Sequence, residues 1–405
     1  MRWTRRAFLA SSAVAVTSLS STALFGTLVE APPAIEPSDA RAAAQARSLI
    51  DRGLDYLKQH QQPDGSWQQP GDFPAITAIA IKAFVQDPQY SGDEPFLKTA
   101  FAKLLSYQKD DGSISNDLMA TYNTAIAISA LARSKQAQYE APMRRALAYL
   151  RQLQWCDKIQ DVPANLKVTE TNPNYGGFGY DKKGKRADLS NVQIALDALH
   201  DAGLKPDDPA FQAALKFVSR TQNNSETNPE KWASDDGGFI YTCADGGNSK
   251  AGEYLSADGR KMFRSYGSMS YAGLKSMIYA GLSPEDPRVK AAWKWVSNNW
   301  TLDENPGIRY GDPANPKGGD DGLFYYYHTL ARGLHAYGQP LIKDSKGIDH
   351  DWRVELIAKL TAQQTPDGHW VGLQKWMENK PILSSAYAIL SLQEALADIK
   401  EHSAR

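Results

Sequence analysis

His328 directly follows three tyrosines, Tyr325, Tyr326 and Tyr327, and stands a short way after the acidic pair Asp320-Asp321. An imidazole beside a carboxylate can serve as a general base or acid near neutral pH. A second acidic pair, Asp235-Asp236, lies in a long segment, 223–264, that ends on Arg264. Asp236 precedes Gly237-Gly238 and reads as a turn residue, which leaves Asp235 freer for chemistry. A guanidinium such as Arg264 can hold an anionic group through two parallel hydrogen bonds. The candidates for proton transfer are therefore His328, Asp235 and Asp320. The candidates for holding a ligand are Arg264, Tyr266, Tyr326, Tyr327 and Tyr122. Each has a structural reading beside the chemical one: a histidine hydrogen-bonded between packed helices, tyrosines as packing, Asp-Gly as a turn.

Other chemistries find less support. No His, Cys or acidic residues fall at metal-ligand spacing, so no metal site is predicted, and no cofactor is specified. Cys156 and Cys243 lie in or beside loops of successive repeats, where they could form a disulfide or stay as two buried thiols. The chain has 405 residues, 22% of them charged, and a net charge of −1. That balance, with no basic run, gives no footprint for nucleic acid. Ten Trp and nineteen Tyr suit a helical protein with an aromatic-lined cavity.

The elements that must position these residues are repeated. Gln61-Gln62-Pro63-Asp64-Gly65-Ser66-Trp67, Gln108-Lys109-Asp110-Asp111-Gly112-Ser113-Ile114 and Gln364-Thr365-Pro366-Asp367-Gly368-His369-Trp370 share the pattern Gln-x-x-Asp-Gly-x-apolar. Each follows one helical pattern and precedes another. Amphipathic helices are predicted over 49–60, 96–107, 143–154, 209–222, 288–300 and 352–364. More apolar ones, rich in Ala and Leu, are predicted over 76–85, 121–132, 189–202, 268–280, 325–337 and 383–396. A helix apolar on every side is buried on every side. Six exposed helices alternating with six buried ones predict an all-α fold, a closed (α/α)6 toroid of six helix pairs spanning 43–405. An open superhelical stack is the alternative. In this reading the Asp-Gly turn uses a left-handed glycine, the glutamine bonds free backbone groups at its helix end, and the motif is structural.

Residues 1–42 read as a leader and linker. Arg5-Arg6 followed by Ala7-Phe8-Leu9 and a weakly apolar stretch over 7–29 form a twin-arginine export pattern, and 28–46 is rich in Pro and Ala. Cleavage is expected after Ala40-Arg41-Ala42 or before Ala31. The protein is thus expected outside the cytoplasm, touching a membrane only through the leader if that is retained.

With six pairs carrying a Gln-x-x-Asp-Gly-x-Trp element, the chain resembles the repeats of squalene–hopene cyclases and of protein prenyltransferase β-subunits over 45–397. The resemblance implies an α/α toroid whose aromatic-lined central cavity receives an isoprenoid. The chemistry of those families is not carried over. No Asp-x-Asp-Asp is present to supply a proton for cyclisation. Tyr327-His328-Thr329 resembles the segment holding the zinc-binding histidine of the transferases, but Arg264-Ser265-Tyr266-Gly267-Ser268-Met269 lacks their Asp-x-Cys. Three functions follow: an exported enzyme or binder for an apolar, isoprenoid-like small molecule; a polysaccharide lyase or hydrolase; or a non-catalytic binding module. Because the inner helices would start on one rim, His328, Tyr326 or Tyr327, and Arg264 are expected at one cavity mouth, capped by 223–264.

Overall fold

A computed structural model describes residues 37–403 except Gly184 and Pro316; the twin-arginine segment lies outside the described residues. Twelve α-helices account for nearly half of them: α1 (Pro37–Gln59), α2 (Pro74–Val85), α3 (Pro95–Leu105), α4 (Ala120–Ser134), α5 (Glu140–Gln152), α6 (Leu189–Asp201), α7 (Pro209–Arg220), α8 (Gly267–Tyr279), α9 (Pro287–Asn298), α10 (Leu323–Tyr337), α11 (Trp352–Gln363) and α12 (Pro381–Ser403). Strand is confined to two hairpins, β1 (Glu253–Leu255) with β2 (Lys261–Phe263), and β3 (Leu341–Lys343) with β4 (Asp349–Asp351). The helix starts follow from sequence. Proline opens α2, α3, α7 and α9, where its missing N–H costs nothing. Asp208 and Asp286 cap α7 and α9 by accepting from Ala210 N and Arg288 N.

The even-numbered helices are the buried set. Eleven of the twelve residues of α2 are buried, whereas α5 buries only Ala146, Tyr149 and Leu150. The buried helices pack in chain order, α2 on α4, α4 on α6, α6 on α8, α8 on α10 and α10 on α12, and α12 packs on α2. The amphipathic odd-numbered helices lie outside them. Helix α12 is long and apolar enough to cross a bilayer, but here it is a core element.

The repeated glutamine joins one repeat to the next. Gln61 Nε2 donates to Gly65 O at 3.0 Å in its own turn and to Phe96 O at 3.0 Å in α3. Gln108 does the same to Gly112 O (3.3 Å) and to Pro142 O in α5 (2.9 Å). Gln154 donates to Gly176 O (2.8 Å) and to Ala210 O in α7 (2.9 Å), and Gln222 to Gly237 O (3.0 Å) and to Arg288 O in α9 (2.8 Å). Gln364 bonds Gly368 O (2.9 Å) and Leu49 O (3.0 Å), tying the sixth repeat to the first. The expectation that the amide serves its own helix end is thus corrected. It reaches across the repeat boundary, because the turn brings the next outer helix against it. The turn glycines allow that approach: Gly176 has φ +82°, and a Cβ there would overlap the Ala213 carbonyl of α7. Only the fifth repeat departs. Trp300 Nε1 donates instead to Glu355 Oε2 of α11, at 2.9 Å.

One further reading is corrected, and of the two alternatives for the cysteines the structure has the buried thiols. Helix α1 begins at Pro37, inside the stretch read as linker, and Ala42 and Ala46 are already in the core. Cys156 and Cys243 are free, buried thiols, the latter donating to Pro173 O at 3.2 Å.

Candidate functional site

The inner helices α2, α4, α6, α10 and α12 line a cavity of about 30 Å³, with Ile79, Ile126, Ile194 and Leu390 on four sides. Two polar layers bound it. Towards the N-terminal ends of the helices is a collar of tyrosines. Tyr122 and Tyr387 meet through their hydroxyls at 3.1 Å, and Tyr325 accepts from Gln193 Nε2 at 2.8 Å and lies 3.2 Å from Ser190 Oγ. Above the collar, Tyr180 and Tyr241 share a hydrogen bond of 3.0 Å. A volume of about 30 Å³ holds roughly two waters. Anything larger must displace the collar rings.

The other layer is ionic. Lys275 Nζ donates to Gln193 Oε1 (2.5 Å) and Asp197 Oδ2 (2.7 Å). Arg332 lies 3.5 Å from Asp197 Oδ1 and donates to Asp201 Oδ1 at 2.8 Å. Asp201 also receives Lys82 (3.0 Å) and Arg133 (2.9 Å). Just below, His335 and Glu394 pair at 2.5 Å. Each inner helix thus contributes at least one charged side chain to this floor. Burial opposes the charge on Asp201, but Arg332, Lys82 and Arg133 outweigh it and hold the carboxyl well below its usual range. Asp197 is likewise lowered against its burial, by Arg332 and Lys275. Burial lowers Lys82 to about 8, helped by the charge of Arg332.

His328 lies between the layers. It lines the cavity, stacks 5.5 Å from Tyr387, and its Nδ1 is buried without a partner. Burial first, then Lys82, Arg332 and Lys275, push the imidazole down to about 3, so it is neutral. Of the residues singled out from sequence, the structure brings His328 and Tyr122 to this cavity. Tyr325, not Tyr326 or Tyr327, is the tyrosine of the run that faces inward. Tyr326 donates to Thr301 O (2.8 Å) and Tyr327 to Leu302 O (2.6 Å), which anchors the loop before α10. At about 100° per residue, three consecutive positions on a helix cannot share a face. Tyr266 is buried at the N-cap of α8.

The remaining candidates lie apart. Arg264 is held between the rings of Tyr254 (4.7 Å) and Tyr310 (5.3 Å), the latter exposed, so the expectation that it shares a mouth with His328 is corrected. Asp235 is exposed and accepts from Ser225 N and Oγ, at 2.8 and 2.7 Å. Asp320 closes a short 3-10 turn, and its neighbour Asp321 is buried against Lys375 at 2.7 Å. Segment 223–264 contains β1 and β2, and it approaches the collar through Tyr241.

Sequence reasoning missed the floor. Its signal was a single charged residue in an otherwise apolar helix, as with Lys82 in α2. It also missed two buried carboxyls at the mouth. Asp188 caps α6 through Asn191 N at 2.9 Å, and burial raises it to about 6. Glu378, from the loop before α12, accepts from Tyr325 N (2.7 Å) and Phe324 N (3.2 Å) at the start of α10, and burial raises it to about 7.

No protein-family model matches the chain, and no curated protein does. Solved structures do. One is the type II terpene cyclase MstE from Scytonema with geranylgeranyl dihydroxybenzoate bound, at 13% identity and TM-score 0.54, covering 89% of this chain and 99% of that one. Another is the GH76A α-1,6-mannanase from Salegentibacter sp. HEL1_6, at 12% identity and TM-score 0.54, covering 88% and 99%. Both are α/α toroids. The likeness is therefore one of fold, shared by enzymes of unrelated chemistry.

Proposed function

We propose that this chain is a closed toroid of six helix pairs that binds an apolar, isoprenoid-like small molecule in its central cavity. The cavity carries this reading: four aliphatic side chains form its wall, tyrosines its lid and an ionic layer its floor. A ligand with an apolar body and one polar end matches that order. The packing of α12 on α2 and the Gln364–Leu49 bond support closure. Binding is favoured over proton-initiated cyclisation. Asp197 is the carboxylate on the cavity, and Arg332 and Lys275 keep it ionised, so it offers no proton to an alkene. For the glycan reading, hydrolysis needs two carboxyl groups across one cleft. The two carboxyls at the mouth, Asp188 and Glu378, are buried and committed to backbone N–H groups at the starts of α6 and α10, and among the acidic pairs Asp111 meets Lys182, Asp208 Arg151, Asp321 Lys375 and Asp235 Ser225.

Calorimetric titration with farnesol and with α-1,6-mannotriose separates the readings, alongside mass spectrometry of co-purifying lipids. Farnesol binding that is lost in Ile126→Trp, which fills the cavity, is the expected result. Binding of mannotriose alone would favour the glycan alternative, and binding of neither would favour a non-catalytic module that works through its surface. We also propose export by the twin-arginine route, on the strength of Arg5-Arg6. The Arg5→Lys, Arg6→Lys double variant is expected to stay in the cytoplasm, and its normal export would reject the route.

A further inference from the structure

The floor of the cavity does not balance its charge. Three cations are almost fully buried there, with side-chain exposures of 5% for Lys82, 1% for Lys275 and 2% for Arg332. Two carboxylates of the same depth face them, Asp197 at 8% and Asp201 at 0%. Arg133 adds positive charge from the edge, with 37% of its side chain exposed; below it Glu394 and Glu401 both meet His335, and Glu394 also acts on Arg332 and Arg133 from a distance. The helix C-termini at this end favour cations but carry no net charge of their own. A buried, uncompensated positive charge is costly.

The excess is localised. Lys275 donates to both Gln193 and Asp197, and Arg332 engages Asp201, Asp197 and Tyr279. Lys82 spends one hydrogen bond on Asp201, and it lines the cavity. Ser129, from the neighbouring helix α4, lines the same side. The unpartnered His328 faces the cavity from α10. Asp197 also borders the space: Lys275 bonds its Oδ2 at 2.7 Å, while its Oδ1 lies 3.5 Å from Arg332 and accepts no hydrogen bond.

We infer that the cavity floor beside Lys82 and Ser129 is a binding site for one monoanionic group, a carboxylate by preference. The group is either the head of the cavity's ligand or a free small anion. The volume of about 30 Å³ suits such a group without its tail. Lys82 supplies the charge. Ser129 Oγ and His328, in the tautomer with a proton on the nitrogen facing the cavity, supply neutral donors. Without an anion, the excess is relieved when Lys82 gives up its proton as pH rises through about 8. The inference leans on the ligand reading above only for what the tail would be.

Thermal unfolding at pH 7.5 with sodium formate or formamide tests the floor alone, with ionic strength held by sodium gluconate, whose polyol chain would lose its hydration against the aliphatic wall. Formate is expected to raise Tm saturably and formamide to leave it unchanged. The difference should vanish in Lys82→Met, or in Ser129→Val if the former does not fold. Farnesoic acid is expected to bind at least tenfold more tightly than farnesol, again through Lys82. A formate effect without farnesoic acid binding would uphold the anion site and remove the isoprenoid reading. Equal effects of each anion and its neutral partner, or an anion preference that survives both variants, would overturn the inference.

Discussion

The two ends of the inner helix set both bury carboxyl groups, and they treat them in opposite ways. At the mouth, Asp188 and Glu378 accept from backbone N–H groups at helix starts, and burial still raises them to about 6 and about 7. At the floor, Asp197 and Asp201 are as deeply buried, yet cationic partners hold them below the ordinary range. A helix N-terminus offers about half a charge, too little to offset full desolvation of a carboxylate. A guanidinium or ammonium at hydrogen-bond distance offers a whole one. The mouth is therefore built of hydroxyls and of carboxyls that keep a proton more readily, with Lys250 and Arg186 over the Tyr241 ring, and its tyrosine collar can part without breaking an ion pair. The floor is fixed.

Breaking the floor should cost most. Asp201→Asn leaves Lys82, Arg133 and Arg332 without their shared carboxylate. It is expected to destabilise by about 3–5 kcal/mol in urea unfolding, and a cost below about 1 kcal/mol would mean the network is not coupled as described. The mouth carboxyl comes next, through pH. Glu378 titrates near 7 when folded, against about 4.3 unfolded. The native state keeps the proton longer, so this stability is complete below the unfolded value and lost as pH rises through 7. Glu378→Gln should flatten the wild-type profile between about pH 4.5 and 7 by about 2–3 kcal/mol. His328 acts in the opposite sense over part of that window, so the difference between the two profiles is the quantity to read.

Gln222→Leu sharpens the contrast between frame and site. It leaves the carbonyls of Gly237 and Arg288 without their donor, and about 1–3 kcal/mol is expected. Its effect on farnesol affinity should be small, and a tenfold weakening would show that the staple shapes the cavity. Tyr122→Phe is the mildest. It removes one hydroxyl contact with Tyr387 and should shift stability by under about 1 kcal/mol. It is expected to speed ligand entry in stopped-flow mixing, and unchanged kinetics would mean that the collar is not the gate.

Much of the frame was legible in sequence because it rests on periodicity. The apolar run from Ala75 to Phe84 permits only a buried helix, and the Asp-Gly turns mark the joints. The site was less legible because it depends on rotation about helix axes and on distant pairs. Choosing Tyr326 and Tyr327 over Tyr325 was an error of one helical step. Arg264 looked suited to a ligand, but Tyr254 of its own hairpin and Tyr310 of the segment before α10 capture it. Lys82, Asp197, Lys275 and Arg332 each read as one charge on a helix. Only their convergence across the ring makes them a floor, and no local pattern encodes it.

The Gln364 bond to Leu49 spans 315 residues of chain, while Gln61 reaches Phe96 across 35 and Gln108 reaches Pro142 across 34. During synthesis, each early joint can form soon after its two helices emerge. The last joint needs the first repeat to wait, with one flank open, until the final repeat has left the ribosome. Forming contacts between such distant segments is slow, and the exposed flank of α1 is where a chaperone would be needed. The seam between α1 and the α11–α12 pair is also where the first and last described helices meet, so it is the joint expected to open first when the finished molecule breathes.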